Sequence, residues 1–188
     1  MRVKSKWNLK DRERSLSETG GAMAFILWRI AQQGTLNLEN EGFQTDTNAQ
    51  RLDVITEFLA VLVHLVDRMT ADRFTLEQRQ EFIGSVARHL ADTMQDSRID
   101  AQGQGEYRKP LIERLNERAA DYAEFAFTDN DPGFALRRYF GEHVRAVMGE
   151  RDSQWILEQV MTIEVAEALK PLRKALHDLL TPAEKPRK

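Results

Sequence analysis

Cysteine is absent from this chain of 188 residues. Disulfides, thiolate zinc sites, iron–sulfur clusters and a cysteine nucleophile are therefore excluded. Long apolar runs are missing too. The most apolar early stretch, AMAFILWRIA at 22–31, is interrupted by Arg29 and is about half of the ~20 residues that a membrane-spanning helix requires. It also lacks the short basic lead-in and the small-residue cleavage site of a signal peptide. The expectation is a buried first helix, no transmembrane segment and a cytoplasmic location. Catalytic signatures are equally scarce. There is no GxSxG and no Walker loop, and GQGEYR at 103–108 misses the dinucleotide fingerprint. No strand-rich or low-complexity segment occurs.

Charge is unevenly placed around a net value of −3. Residues 1–14 carry six basic and two acidic side chains, and 181–188 carry three and one, which leaves the body with 18 basic against 27 acidic, or −9. An acidic body is a poor surface for nucleic acid, whose phosphates must be neutralised, so no nucleic-acid partner is expected. The basic ends leave peripheral contact with an anionic membrane open. The domain reading is a basic arm at 1–15, a helical domain at 16–180 and a basic tail at 181–188.

What is present is helical periodicity. Helices are expected near 16–33, 47–70, 75–97, 107–127, 132–149 and 151–180, the last bent at Pro171. The fold class is all-α, a single-domain bundle of about six helices. GTLNLENEGFQTDT at 34–47 reads as a long loop with alternating residues, and SRIDAQGQG at 97–105 as a glycine-rich break. In TDNDPG at 128–133, Asp131 before Pro132 reads as a helix N-cap with proline at the first helical position.

Two similar stretches, HLVDRM at 64–69 and HLADTM at 89–94, each hold a His three residues before an Asp. On a helical projection, Asp53, Glu57, His64, Asp67 and Arg68 form a polar stripe opposite the apolar arc of the second helix. His89 instead falls at the edge of an apolar face beside Phe82, with Asp92 further out. A duplicated ligand helix would place both pairs alike, so the repeat reads as coincidence. A metal site would have to draw on His64, Asp67, His89 and Asp92. No Glu-x-x-His pair of the di-iron bundles occurs, and the His177-Asp178 doublet has no helices after it. Neither metal nor cofactor is expected. Glu113, Glu117, Asp121 and Glu124 read as a solvated row on the fourth helix.

Two departures from simple amphipathicity remain. In WILEQVMTIEV at 155–165, Leu157, Met161, Val165 and Leu169 define one apolar face and Ile156, Val160 and Ile163 another. Such a helix is either central in the bundle or covered by a partner, which makes Trp155, Ile156, Val160, Met161 and Ile163 candidate partner-binding residues. Arg137 and Asn116 fall on the apolar faces of the fifth and fourth helices. They either satisfy local groups or line an internal polar pocket.

Three stretches in order carry a resemblance: DTNAQRLDVITEFLAVLVHLV at 46–66, HLADTMQDSRIDAQGQGEYRKPLIERL at 89–115 and ADYAEFAF at 120–127. Over residues 25–150 the chain resembles the ubiquinol–cytochrome c chaperone family. The matched positions are Asp46, Thr47, Arg51, Gly103, Gly105 and Glu106, and Glu57 stands where the family has a histidine. The resemblance implies a helical, non-catalytic assembly factor that holds a membrane-protein client. From the residues alone, Asp46 or Thr47 caps a helix and the glycines make a turn.

The expected function is therefore a non-catalytic interaction or assembly factor, chaperone-like, that binds a protein partner or a second copy through an apolar helix face at 155–169 or 22–31. The alternatives are a metal- or small-ligand-binding helical protein, an enzyme included, with His, Asp and Glu converging across helices, and an oligomeric structural protein.

Overall fold

The computed structural model describes residues 14–149 and 153–181. The expected basic arm and tail lie outside the described residues except for residues 14, 15 and 181. The architecture is all-α: α1 (Leu16–Asn40), α2 (Asn48–Thr70), α3 (Leu76–Gln102), α4 (Arg108–Ala123), α5 (Phe134–Met148), α6 (Ser153–Gln159), a π-helical turn (Val160–Glu164) and α7 (Val165–Leu180). The last three run on as one joined helix, with Pro171 inside α7.

Helix starts follow local chemistry. Ser15 with Glu18, and Thr75 with Gln78, form reciprocal capping boxes, and the Thr47 hydroxyl accepts from the Gln50 N–H. Each satisfies N–H groups that the first turn leaves without a partner.

Several boundaries differ from the sequence expectation, among them the end of α4 at Ala123, four residues short of the expected 127. The stretch from 34 to 40 is helix, because Gly34 lets α1 pass against the Phe58 ring and Leu38 is buried beyond it. A Cβ at residue 34 would lie 2.5 Å from Phe58 Cε1. α3 likewise runs through Gln102 and ends at Gly103, whose φ is 88°. Asp131 is not a cap: Phe127–Thr128 pairs with Asp131–Pro132 in a short antiparallel ladder, turned by Asp129 and Asn130 at φ of 54° and 56°. Gly133 takes the N-cap position of α5. Two residues with positive φ make a tight hairpin whose twist suits the ladder, and that ladder uses the backbone that would otherwise have capped α5.

α2 is the central helix, in contact with α1, α3, α4 and α5. Every residue from Val54 to Val66 is buried. Phe58 meets Phe140 of α5 edge-on at 5.0 Å between ring centroids. α1 packs most extensively on α3, where a Cβ on Gly20 would meet Ser85 Cβ at 2.7 Å and the Phe82 carbonyl oxygen at 2.9 Å. Backbone cannot yield there as a side chain could. Gly20→Ala is therefore expected to cost about 1–2 kcal/mol net, helix propensity working the other way. A shift of the urea midpoint with the slope unchanged is the check; an unmoved midpoint would mean that the helices separate freely.

The two apolar faces read in 155–165 resolve into one. The buried stripe runs Ile156, Val160, Val165, Leu169, Leu172 and Leu176. Its steps are four residues except across the π-turn, where the step is five, and from Leu169 to Leu172, where it is three. One extra residue in the π-turn shifts the stripe's phase, which on a uniform helical projection looks like a second face.

Candidate functional site: a groove between the first and last helices

The middle of the polar stripe expected to face solvent on α2, Glu57 and His64, is instead buried beneath α4. Glu57 and Arg118 are each 3% exposed. Arg118 Nε donates to Glu57 Oε2 at 2.8 Å and Nη2 donates to Oε1 at 3.2 Å. Arg114 stands 3.8 Å from the same carboxylate. Glu117 and Asp121, read as part of a solvated row, pair with Arg118 from their own helix at 3.2 and 3.5 Å. Burial pulls the guanidinium pKa down, but Glu57 more than offsets this and the net shift is upward.

Aromatic and imidazole rings continue the cluster. Tyr122 is fully buried, and its hydroxyl has no hydrogen-bond partner among the described residues. His64 is buried beside it, ring centroids 5.4 Å apart. Burial, with Arg68 and Arg79 adding and Asp67 opposing, lowers the His64 pKa to about 4. Tyr139 donates to Asp121 Oδ2 at 2.6 Å, and its pKa is raised to about 12 by burial and by that carboxylate. His143 stacks edge-on against Tyr139 at 4.4 Å. The carboxylates here are matched by guanidinium or hydroxyl donors, so the cluster ties α2, α4 and α5 together.

The open feature lies elsewhere. A groove of about 510 Å³ runs between α1 and the first half of α7 with the end of the π-turn before it. Its α1 wall is Phe25, Ile26, Arg29, Ile30, Gln33, Gly34 and Asn37, one face of the helix over about 18 Å at 1.5 Å per residue. The opposite wall is Glu164, Glu167, Ala168, Lys170 and Pro171. Phe25 is 63% exposed at its edge.

Glu164, at the end of the π-turn, is 1% exposed. Asn37 Nδ2 donates to its Oε2 at 3.1 Å and Gln159 Nε2 to its Oε1 at 3.0 Å, while Gln33 Nε2 donates to Asn37 Oδ1 at 2.8 Å. Burial pushes the Glu164 pKa up against these amide bonds, and Glu167 and Glu41 add to the rise. Neither Glu164 nor Asn37 stands out in a reading of the sequence. The one available signal is the row Val160, Glu164, Ala168, Leu172, apolar except for the acid.

The candidate residues from sequence are scattered. Ile156 and Val160 are buried within the bundle, and Met161 is half-buried near Gly141 of α5. Trp155 and Ile163 are exposed, at 62% and 47%. These five do not form a single open face. Asn116 is exposed, whereas Arg137 donates to the Pro132 carbonyl and pairs with Asp131, so the two share no pocket. Asp67 is paired with Arg79, and Asp92 with Arg108 at 2.7 Å. His89 is exposed, with Nδ1 2.8 Å from the Ser85 carbonyl. Among the described residues no group of three or more His, Asp or Glu side chains is placed to hold a metal ion, and no helix is long and apolar enough to cross a membrane.

The positions matched to the chaperone family have local duties. Thr47 caps α2, the Asp46 N–H donates to Gln50 Oε1 at 2.6 Å, and Arg51 pairs with Glu39 at 3.1 Å. Gly103 ends α3, the Gly105 carbonyl accepts from buried Gln95, and the Glu106 carboxylate accepts from the backbone N–H of Arg108 and Lys109. No family model matches the chain, and no curated protein or solved structure does either.

Proposed function

We propose that the protein is a non-catalytic binding protein whose α1–α7 groove receives an apolar helical segment of a partner protein, in the manner of an assembly factor or chaperone. The observation that carries this is the shape and lining of the groove. Its α1 wall exposes a single face over about three helical turns, which suits a helix laid into a groove better than a compact small molecule. Phe25, Ile26, Ile30, Ala168 and Pro171 supply the apolar contact. Both stretches singled out from sequence, 22–31 and 155–169, contribute a wall. The resemblance to the ubiquinol–cytochrome c chaperones supports the same class of role, through the order of its three stretches.

The test is a titration of the labelled protein with amphipathic helical peptides of about 15 residues, leucine at i, i+3, i+4 and i+7, followed by amide NMR shifts. Shifts confined to 25–37 and 164–171 are expected, and Ala168→Trp, which fills the groove from its wall, should weaken binding at least about tenfold while leaving the melting temperature intact. Binding that ignores Ala168→Trp, or no binding, would sink the reading. A concentration-dependent dimer lost in the same variant would make a second copy the occupant.

A further inference from the structure

The groove is apolar along most of its length, but it holds an acid that the fold does not neutralise. Among the described residues Glu164 takes part in no ion pair; its partners are the two side-chain amides. Glu167 and Glu41, both acidic, push its pKa further up. An unneutralised carboxylate in a water-poor setting is costly, and it acts on its surroundings more strongly than the same charge at the surface.

A second acceptor lies on the same wall. Pro171 has no N–H, so the carbonyl of Glu167, four residues earlier, loses its helical donor. Glu167 and Pro171 both line the groove beside Glu164. Asn37 and Gln159 donate to Glu164 and Gln33 donates to Asn37, while Lys170, exposed on the same wall, pairs with the Glu167 side chain at 2.6 Å. Arg29 lies on the opposite wall, with an exposed side chain. On this wall Lys170 is paired with Glu167, and Glu164 is the acid left without a cationic partner among the described residues.

We propose that the groove selects an apolar helical segment that carries a basic side chain among its anchors, whose ammonium or guanidinium group lies over the wall that buries Glu164. This rests on the groove reading above and names its specificity. Glu164 acts by charge through the groove wall, and the amide chain Gln33–Asn37–Glu164 holds the carboxylate in place. Glu164 is the last residue of the π-turn, where the helix takes one extra residue between Val160 and Val165.

Three small probes of equal chain length separate the parts of this claim: hexanol, hexylammonium and hexanoate, each titrated into the full chain and into Glu164→Gln at pH 7.5 and followed by amide NMR shifts. Hexanol should shift the groove amides in both proteins to the same extent. Hexylammonium should bind the parent about tenfold more tightly than hexanol, and Glu164→Gln should abolish that preference. Hexanoate should be the weakest in the parent. In the parent alone, lowering the pH should erode the preference for hexylammonium as Glu164 takes up a proton, with hexanol unmoved, a readout that needs no variant. A preference for hexanoate, or an ammonium preference that survives Glu164→Gln, would overturn the selectivity and leave the groove reading standing. Failure of hexanol and hexylammonium alike to shift the groove amides would overturn both.

Discussion

Arg118→Met is expected to destabilise the fold by about 3–5 kcal/mol, because it leaves the Glu57 carboxylate buried without its main partner. Methionine fills much of the same space, so the loss reports charge and hydrogen bonding more than a cavity. Arg114, 3.8 Å away and partly exposed, replaces only part of the lost interaction. The double replacement Glu57→Leu with Arg118→Met removes both charges and should recover most of the stability, since desolvating an ion pair offsets much of what its attraction returns. Urea unfolding of the four proteins completes the cycle. Single and double variants of equal stability would mean that the pair is not what joins α2 to α4.

The second large effect is the dependence of stability on pH through His64. The buried ring is neutral in the fold, with a pKa of about 4 against 6.5 for the free side chain. Between those values the unfolded chain binds a proton that the folded chain refuses. Stability is therefore fully present above pH 6.5 and falls as the pH drops toward 4, by at most about 3 kcal/mol from this residue. The charged groups acting on the ring are Asp67, Arg68 and Arg79. His64→Phe should flatten the curve between pH 6.5 and 4.5 relative to the parent in urea unfolding at each pH. Parallel curves would show that other groups set the acid limit.

Much of the architecture was readable in the residues. Capping residues and 3.6-residue periodicity are local, and the helix starts at Ser15, Thr47 and Thr75 depend on atoms within three residues of the cap. The errors share one cause. The segment at 34–40 reads as a loop because Gly34 and the alternation after it are poor helix signals, and only the Phe58 ring, distant in sequence, makes glycine there the residue that fits. Glu57 and His64 read as solvent-facing because a helical projection shows which side chains share a face and not whether another helix covers it.

What the sequence determined by itself is therefore the all-α class, the helix count, the absence of thiol chemistry and the acidic body, all properties of composition and short-range order. Tertiary structure decided the rest. It made α2 central, so that a polar stripe became a buried ion pair. It also carried the last helix through a π-turn, so that two apparent apolar faces became one buried stripe, and it set α1 beside that helix so that Glu164 lies in the wall of a groove. Neither outcome follows from local order, because each depends on which helices lie side by side, and that is settled by the summed burial of apolar surface over the whole chain.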